Sequence, residues 1–140
     1  MLPPGLSMLW ESTDAPTAFR ERFGFADYSA GVAWLVATLS REWGVVVESC
    51  ERIVISDQNA IAWVATADSP QPLICKWSRT EAQFAKLAAV AEVITELAAQ
   101  GIPVAAPILS LSGEGREVVA GANGPWSVAV QPVIGGRAST

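Results

Sequence analysis

Apolar residues recur first at helical spacing and later at alternating spacing along this chain. Thr13-Asp14-Ala15-Pro16 reads as a helix start, with a Thr or Asp cap and proline in the first turn. It predicts a short helix over 15–23 that ends at Gly24. Tyr28-Ser29 leads into a second helix, Ala30–Trp43, with Val32, Leu35, Val36 and Leu39 on one face and Gly44 as its stop. Residues 1–12 read as a loose tail.

From Val45 the period becomes two. Val45–Val47 and Arg52–Ile55 read as strand, either two pieces or one strand with a bulge. Ala60–Thr66 follows the polar turn Ser56-Asp57-Gln58-Asn59, and Leu73–Trp77 follows the turn at Asp68–Pro72. Short turns between consecutive strands predict an antiparallel meander. Ser78-Arg79-Thr80-Glu81 then caps a long helix over about 80–100, with the stripe Phe84, Leu87, Ala91, Ile94, Leu97 and Ala98. Gly101 and Pro103 end it. Ile108–Leu111 begins a further strand that continues at Glu117–Ala120 after the turn 112–115. The hairpin turn Ala122-Asn123-Gly124-Pro125 leads into Trp126–Pro132. The predicted fold class is α+β: two short helices, then a five-stranded antiparallel sheet with one long packed helix.

Composition narrows the function. With 51% hydrophobic and 16% charged residues in 140, the chain can bury a core and leave an apolar face for a partner. The net charge is −5 and the cations are scattered, Arg116 among them, which disfavours nucleic-acid binding. No apolar run approaches membrane-spanning length, and residues 1–5 lack a signal-peptide pattern, so no membrane partner and a cytoplasmic location are expected. Cys50 and Cys75 lack metal-type spacing, and Cys75 reads as a buried thiol. The chain has no histidine, which removes Ser-His and Cys-His pairs and histidine-based metal sites.

Lys76 stands out as a lone cation in Leu73-Ile74-Cys75-Lys76-Trp77. A charge inside a short apolar strand is costly unless it reaches water or a partner. Most strand lysines lie on an edge or snorkel to solvent; enzymes that bind nucleoside triphosphates use such a lysine to hold phosphate.

Four stretches, in order, carry a family resemblance: Asp57-Gln58-Asn59-Ala60-Ile61, Leu73-Ile74-Cys75-Lys76, Leu97–Val104 with its Gly101-Ile102-Pro103-Val104 ending, and Val130-Gln131-Pro132-Val133-Ile134-Gly135-Gly136. Together they resemble the N-terminal lobe of the aminoglycoside phosphotransferase family, which has a protein-kinase-like fold. The segments 19–24 and 34–44 are similar to the leader of actinobacterial members. The resemblance covers most of 17–136. It implies a tail and helical leader at 1–44, a nucleotide-binding lobe at 45–136, and a tail at 137–140 leading to a C-terminal lobe that this sequence does not contain.

The resemblance further implies ATP or GTP with magnesium as cofactor. Lys76 would face the α- and β-phosphates, and Ile74 the adenine. Gln58 and Asn59 would lie in the turn over the phosphates, and the backbone near Gln131 and Val133 would meet the base edge. The helix carboxylate that pairs the lysine in this family would fall near Val90 or Ala91, neither of which can do so. Glu92 is the nearest carboxylate, but it lies off the apolar stripe. The family's catalytic loop and magnesium-binding aspartate belong to the other lobe, so the chain alone is expected to be inactive. That lobe would also grip the small-molecule substrate, leaving aminoglycoside, sugar, amino alcohol and macrolide open. The alternative is a non-catalytic interaction module on a kinase-like lobe, and an exposed lobe face predicts self-association.

Overall fold

The computed structural model describes residues 5–9, 14–67 and 69–133. In chain order the elements are β1 (Gly5–Met8), α1 (Ala15–Phe23), α2 (Tyr28–Trp43), β2 (Val47–Ile55), β3 (Asn59–Thr66), β4 (Ser69–Ser78), α3 (Phe84–Ala99), β5 (Glu117–Ala120) and β6 (Pro125–Pro132), with a 3-10 turn at Glu81–Gln83 leading into α3.

The sheet has six strands in the order β1-β2-β3-β4-β6-β5. This corrects the expected five-stranded antiparallel sheet. The additional strand, β1, pairs in parallel with β2, Gly5 opposite Arg52 through Met8 opposite Ile55. It lies where the sequence reads as a loose tail. A parallel neighbour needs a long crossover, and the two leader helices supply it. The two pieces expected around Val45–Ile55 form one strand, with register shifts between Val47 and Ser49 and between Cys50 and Arg52. Ile108–Leu111 is not a strand; it contributes a single rung, the Ile108 N–H donating to the Val130 carbonyl at 2.7 Å.

Both leader helices are capped as their sequences dictate. Asp14 accepts from the Thr17 N–H (3.1 Å) and Asp27 from the Ala30 N–H (2.8 Å), and Gly24 and Gly44 close the helices with φ of 74° and 67°. The helices cover one face of the sheet. Phe19, Phe23, Phe25, Leu35, Leu39 and Trp43 join Ile53, Ile55, Val64, Cys75, Trp77, Trp126, Val128 and Val130 in one buried core. Gly31 lets α1 and α2 approach closely, since a Cβ there would lie 2.4 Å from the Phe19 ring. Polar tethers fix the layers: Trp34 Nε1 donates to the Ala120 carbonyl and Trp43 Nε1 to the Ile108 carbonyl, both at 3.0 Å.

The opposite face carries Ile61, Trp63, Ile74, Lys76, Ala129 and Gln131, by strand alternation and pairing. Helix α3 lies towards this side. Its predicted stripe is the less exposed side of the helix, yet only Ala91 is fully buried. Val90 and Val93 are 46% and 58% exposed, so α3 packs more loosely than its apolar sequence suggests. Among the described residues, no helix is long and apolar enough to cross a membrane.

Candidate functional site

Lys76 sits on β4 with Ile61 of β3 on one side and Ala129 of β6 on the other. It is therefore on a central strand, and the edge-strand explanation for its charge does not apply. Its side chain is half-buried and lines two adjoining cavities of about 410 Å³ and 150 Å³. The larger is bounded by Leu9, Val54, Ser56, Asn59 and Ile61, the smaller by Ala91, Ile94, Pro107 and Gln131. Leu87 of α3 and Arg116 border both.

Arg116, which the sequence reading left among the scattered cations, immediately precedes β5 and borders both cavities. Its Nε donates to Ser127 Oγ at 2.7 Å and its Nη2 to the Ser127 carbonyl at 3.0 Å. Ser127 is itself 1% exposed, so the guanidinium is held on a rigid part of β6. Among the described residues no carboxylate lies within ion-pair distance of Lys76 or Arg116, and neither cavity wall contains an acidic side chain. Burial lowers the ionisation of Lys76 below the usual lysine range, and the positive charge of Arg116 lowers it further. Burial also lowers Arg116. Two cations thus share one recess with no counter-ion among the described residues.

The other sequence-predicted residues divide into those that join Lys76 and those that do not. Asn59 lies on the rim of the larger cavity, where its carbonyl accepts from the Ser56 N–H at 2.9 Å. Gln58 borders neither; it accepts from Thr80 Oγ1 at 2.9 Å and ties the β2–β3 turn to the start of α3. Arg79 reinforces the tie, donating from Nε to the Asp57 carbonyl at 3.1 Å. Ile74 shares the face of Lys76 but is 1% exposed and lies outside both cavity walls. Gln131 borders the smaller cavity, where Nε2 donates to the Ala105 carbonyl (3.0 Å) and Oε1 is buried without a partner.

Val133 ends the described part of the chain. It is buried, and its N–H donates to the Pro72 carbonyl at 3.2 Å, so that donor is not free for a base edge. Ile134-Gly135-Gly136 lies outside the described residues. Glu92 is exposed and borders a separate depression with Glu96 and Glu114. The positions of α3 that do face Lys76 across the smaller cavity are Leu87, Val90, Ala91 and Ile94. No group of three or more metal-ligating side chains occurs among the described residues.

No protein-family model matches the chain, and no curated protein matches it in sequence. Solved structures do match its fold. Spectinomycin phosphotransferase APH(9)-Ia, in complex with ADP and spectinomycin, aligns over 74% of this chain with a TM-score of 0.56 and 12% identity. Amicoumacin kinase hAmiN, in complex with AMP-PNP, Ca2+ and Ami, aligns over 74% with a TM-score of 0.57 and 18% identity. The aligned region is 29% and 31% of those chains, so this chain spans less than a third of either neighbour's length. It has the fold of part of a kinase-like phosphotransferase, in agreement with the resemblance in its sequence.

Proposed function

We propose that this chain is the nucleotide-binding lobe of an ATP- or GTP-dependent small-molecule phosphotransferase. The observation that carries the proposal is Lys76: a half-buried cation on a central strand, unpaired with any described carboxylate, facing a cavity large enough for a phosphate chain. The fold likeness supports the same reading, because both neighbours are complexes with adenine nucleotides.

The residues suit a polyphosphate better than a metal. Lys76 would act as a point charge on phosphate oxygens, and Asn59 would add a side-chain amide at the rim. Magnesium bound to the nucleotide would draw off charge from the phosphates; its carboxylate ligands would come from outside the described residues. Transfer to a hydroxyl also needs a positioned base, an aspartate in kinases, and no carboxylate borders either cavity among the described residues. The chain by itself is therefore proposed to bind nucleotide without transferring phosphoryl.

Calorimetric titration with ATP and with GTP, each with magnesium, tests the reading on the chain and on Lys76→Ala. Loss of a charge-assisted contact should weaken binding by about tenfold or more. Equal affinity in the two proteins would overturn the assignment of Lys76.

A further inference from the structure

We propose that Arg116 is the second half of a two-cation cradle that grips a polyphosphate group jointly with Lys76. The proposal rests on the nucleotide reading and adds to it a residue, an anchoring partner and an explanation for the missing helix carboxylate.

Three observations converge. Arg116 and Lys76 border the same two cavities, and so approach one recess from neighbouring parts of the sheet. Ser127 occupies Nε and Nη2 of the guanidinium through two hydrogen bonds, which fixes its plane and leaves further N–H groups for a ligand. Among the described residues the walls supply no negative charge: α3 presents Leu87, Val90, Ala91 and Ile94 where a carboxylate could have neutralised the lysine.

Burial depresses the pKa of both cations, and the charge of Arg116 depresses that of Lys76 further. A ligand carrying several negative charges relieves both penalties at once. A neutral ligand relieves neither. The planar fork of arginine suits two phosphate oxygens, while lysine supplies a compact charge beside it. In this arrangement the ligand is the counter-ion of Lys76, and a helix carboxylate is not needed to hold the lysine while phosphate is bound.

The test is calorimetry with inorganic tripolyphosphate, ATP and adenosine on the wild-type chain, Arg116→Gln, Arg116→Lys and Lys76→Gln, with circular dichroism as the folding control. Tripolyphosphate should bind the wild type, and Arg116→Gln should weaken tripolyphosphate and ATP by about tenfold or more. Arg116→Lys should recover part of the loss, and adenosine should not respond to Arg116. Ser127→Ala keeps every charge but releases the guanidinium; it should weaken tripolyphosphate several-fold and keeps the test open should Arg116→Gln fail to fold.

Tripolyphosphate bound equally by the wild type and by folded Arg116 variants would overturn the cradle. ATP binding that depends on Lys76 but ignores Arg116 would also overturn it while leaving the nucleotide reading in place. Tripolyphosphate binding that depends on Arg116, with ATP no tighter and adenosine unbound, would sustain the cradle and remove the nucleotide. No binding of any probe would remove both.

Discussion

Replacing Gly121 by alanine should damage this fold far more than one methyl group suggests. Gly121 follows β5, and its φ is outside the left-handed region, so alanine brings no backbone strain. Its Cβ would instead lie 2.2, 2.3 and 2.5 Å from three ring atoms of Trp126, against the roughly 3.5–4.0 Å at which carbon atoms rest. The ring cannot swing away freely. It is 1% exposed and held by Trp34, Phe25, Phe23 and Trp77, at centroid distances of 4.8, 5.4, 5.6 and 6.3 Å. Overpacking costs about 1–3 kcal/mol, and complete loss of a buried aromatic about 3–5 kcal/mol. A value of about 3 kcal/mol lies where the two ranges meet. Against a total of about 7–21 kcal/mol at this length, that is a severe loss. Urea unfolding followed by tryptophan fluorescence and far-UV circular dichroism would measure it. In a Trp126→Leu background the same alanine should cost less than about 1 kcal/mol, giving a coupling of about 2 kcal/mol. A cost below about 1 kcal/mol for the single variant, or a coupling near zero, would refute the argument that this ring is immobile.

Lys76→Met should raise stability at pH 7 by about 0.5–1 kcal/mol, a figure already discounted for the partial exposure of the lysine. The folded state depresses the Lys76 pKa from its ordinary 10.5, so the unfolded chain binds the extra proton and wild-type stability rises as pH climbs towards 10.5. The advantage of methionine should shrink over that window in thermal melts; an advantage independent of pH would contradict the account. Burial raises the thiol pKa of both cysteines, and Cys75 is wholly enclosed. A disulfide reagent at pH 8 should therefore label Cys50 well before Cys75, and equal rates would count against this packing. The exposed apolar side of α3 should promote self-association at high concentration. Sedimentation velocity should show a concentration-dependent species that Val93→Lys diminishes, and a monomer at every concentration would dispose of the idea.

The helices of the leader were legible because their stop and start signals are local: Asp14, Gly24 and Gly44 lie within one turn of what they start or stop, whereas the Asp27 cap went unread and α2 begins at Tyr28, two residues before the expected Ala30. The central hairpins were legible for a similar reason, since alternation and turn residues announce them. Strand β1 was not legible. Gly5-Leu6-Ser7-Met8 is too short to show a period, and its partner Arg52–Ile55 is remote in sequence. β4 begins at Ser69, where prolines read as a turn: Ser69 pairs with Thr66, and the Pro72 carbonyl accepts from the Val133 N–H. At the site, Lys76 was visible as a charge out of place in an apolar run. Arg116 precedes its strand and stands beside polar residues, so nothing local marks it. Its place beside Lys76 depends on β6 lying between β4 and β5, a matter of sheet order that no short window records.

The parallel pairing of β1 with β2 has a consequence for how the molecule assembles. The β2–β3–β4 meander closes through tight turns, whereas Gly5 meets Arg52 only after roughly fifty residues have been brought round. Such a loop is about four doublings longer than a tight turn and costs about 2 kcal/mol more in closure entropy. Contacts of that span reward the chain late, so β1 should dock after the meander has formed and the helices have collapsed onto it. Until then β2 presents an open edge of unpaired N–H and C=O groups to any neighbouring chain. β1 should thus be late to join the sheet, and aggregation during refolding should depend on how quickly it covers β2.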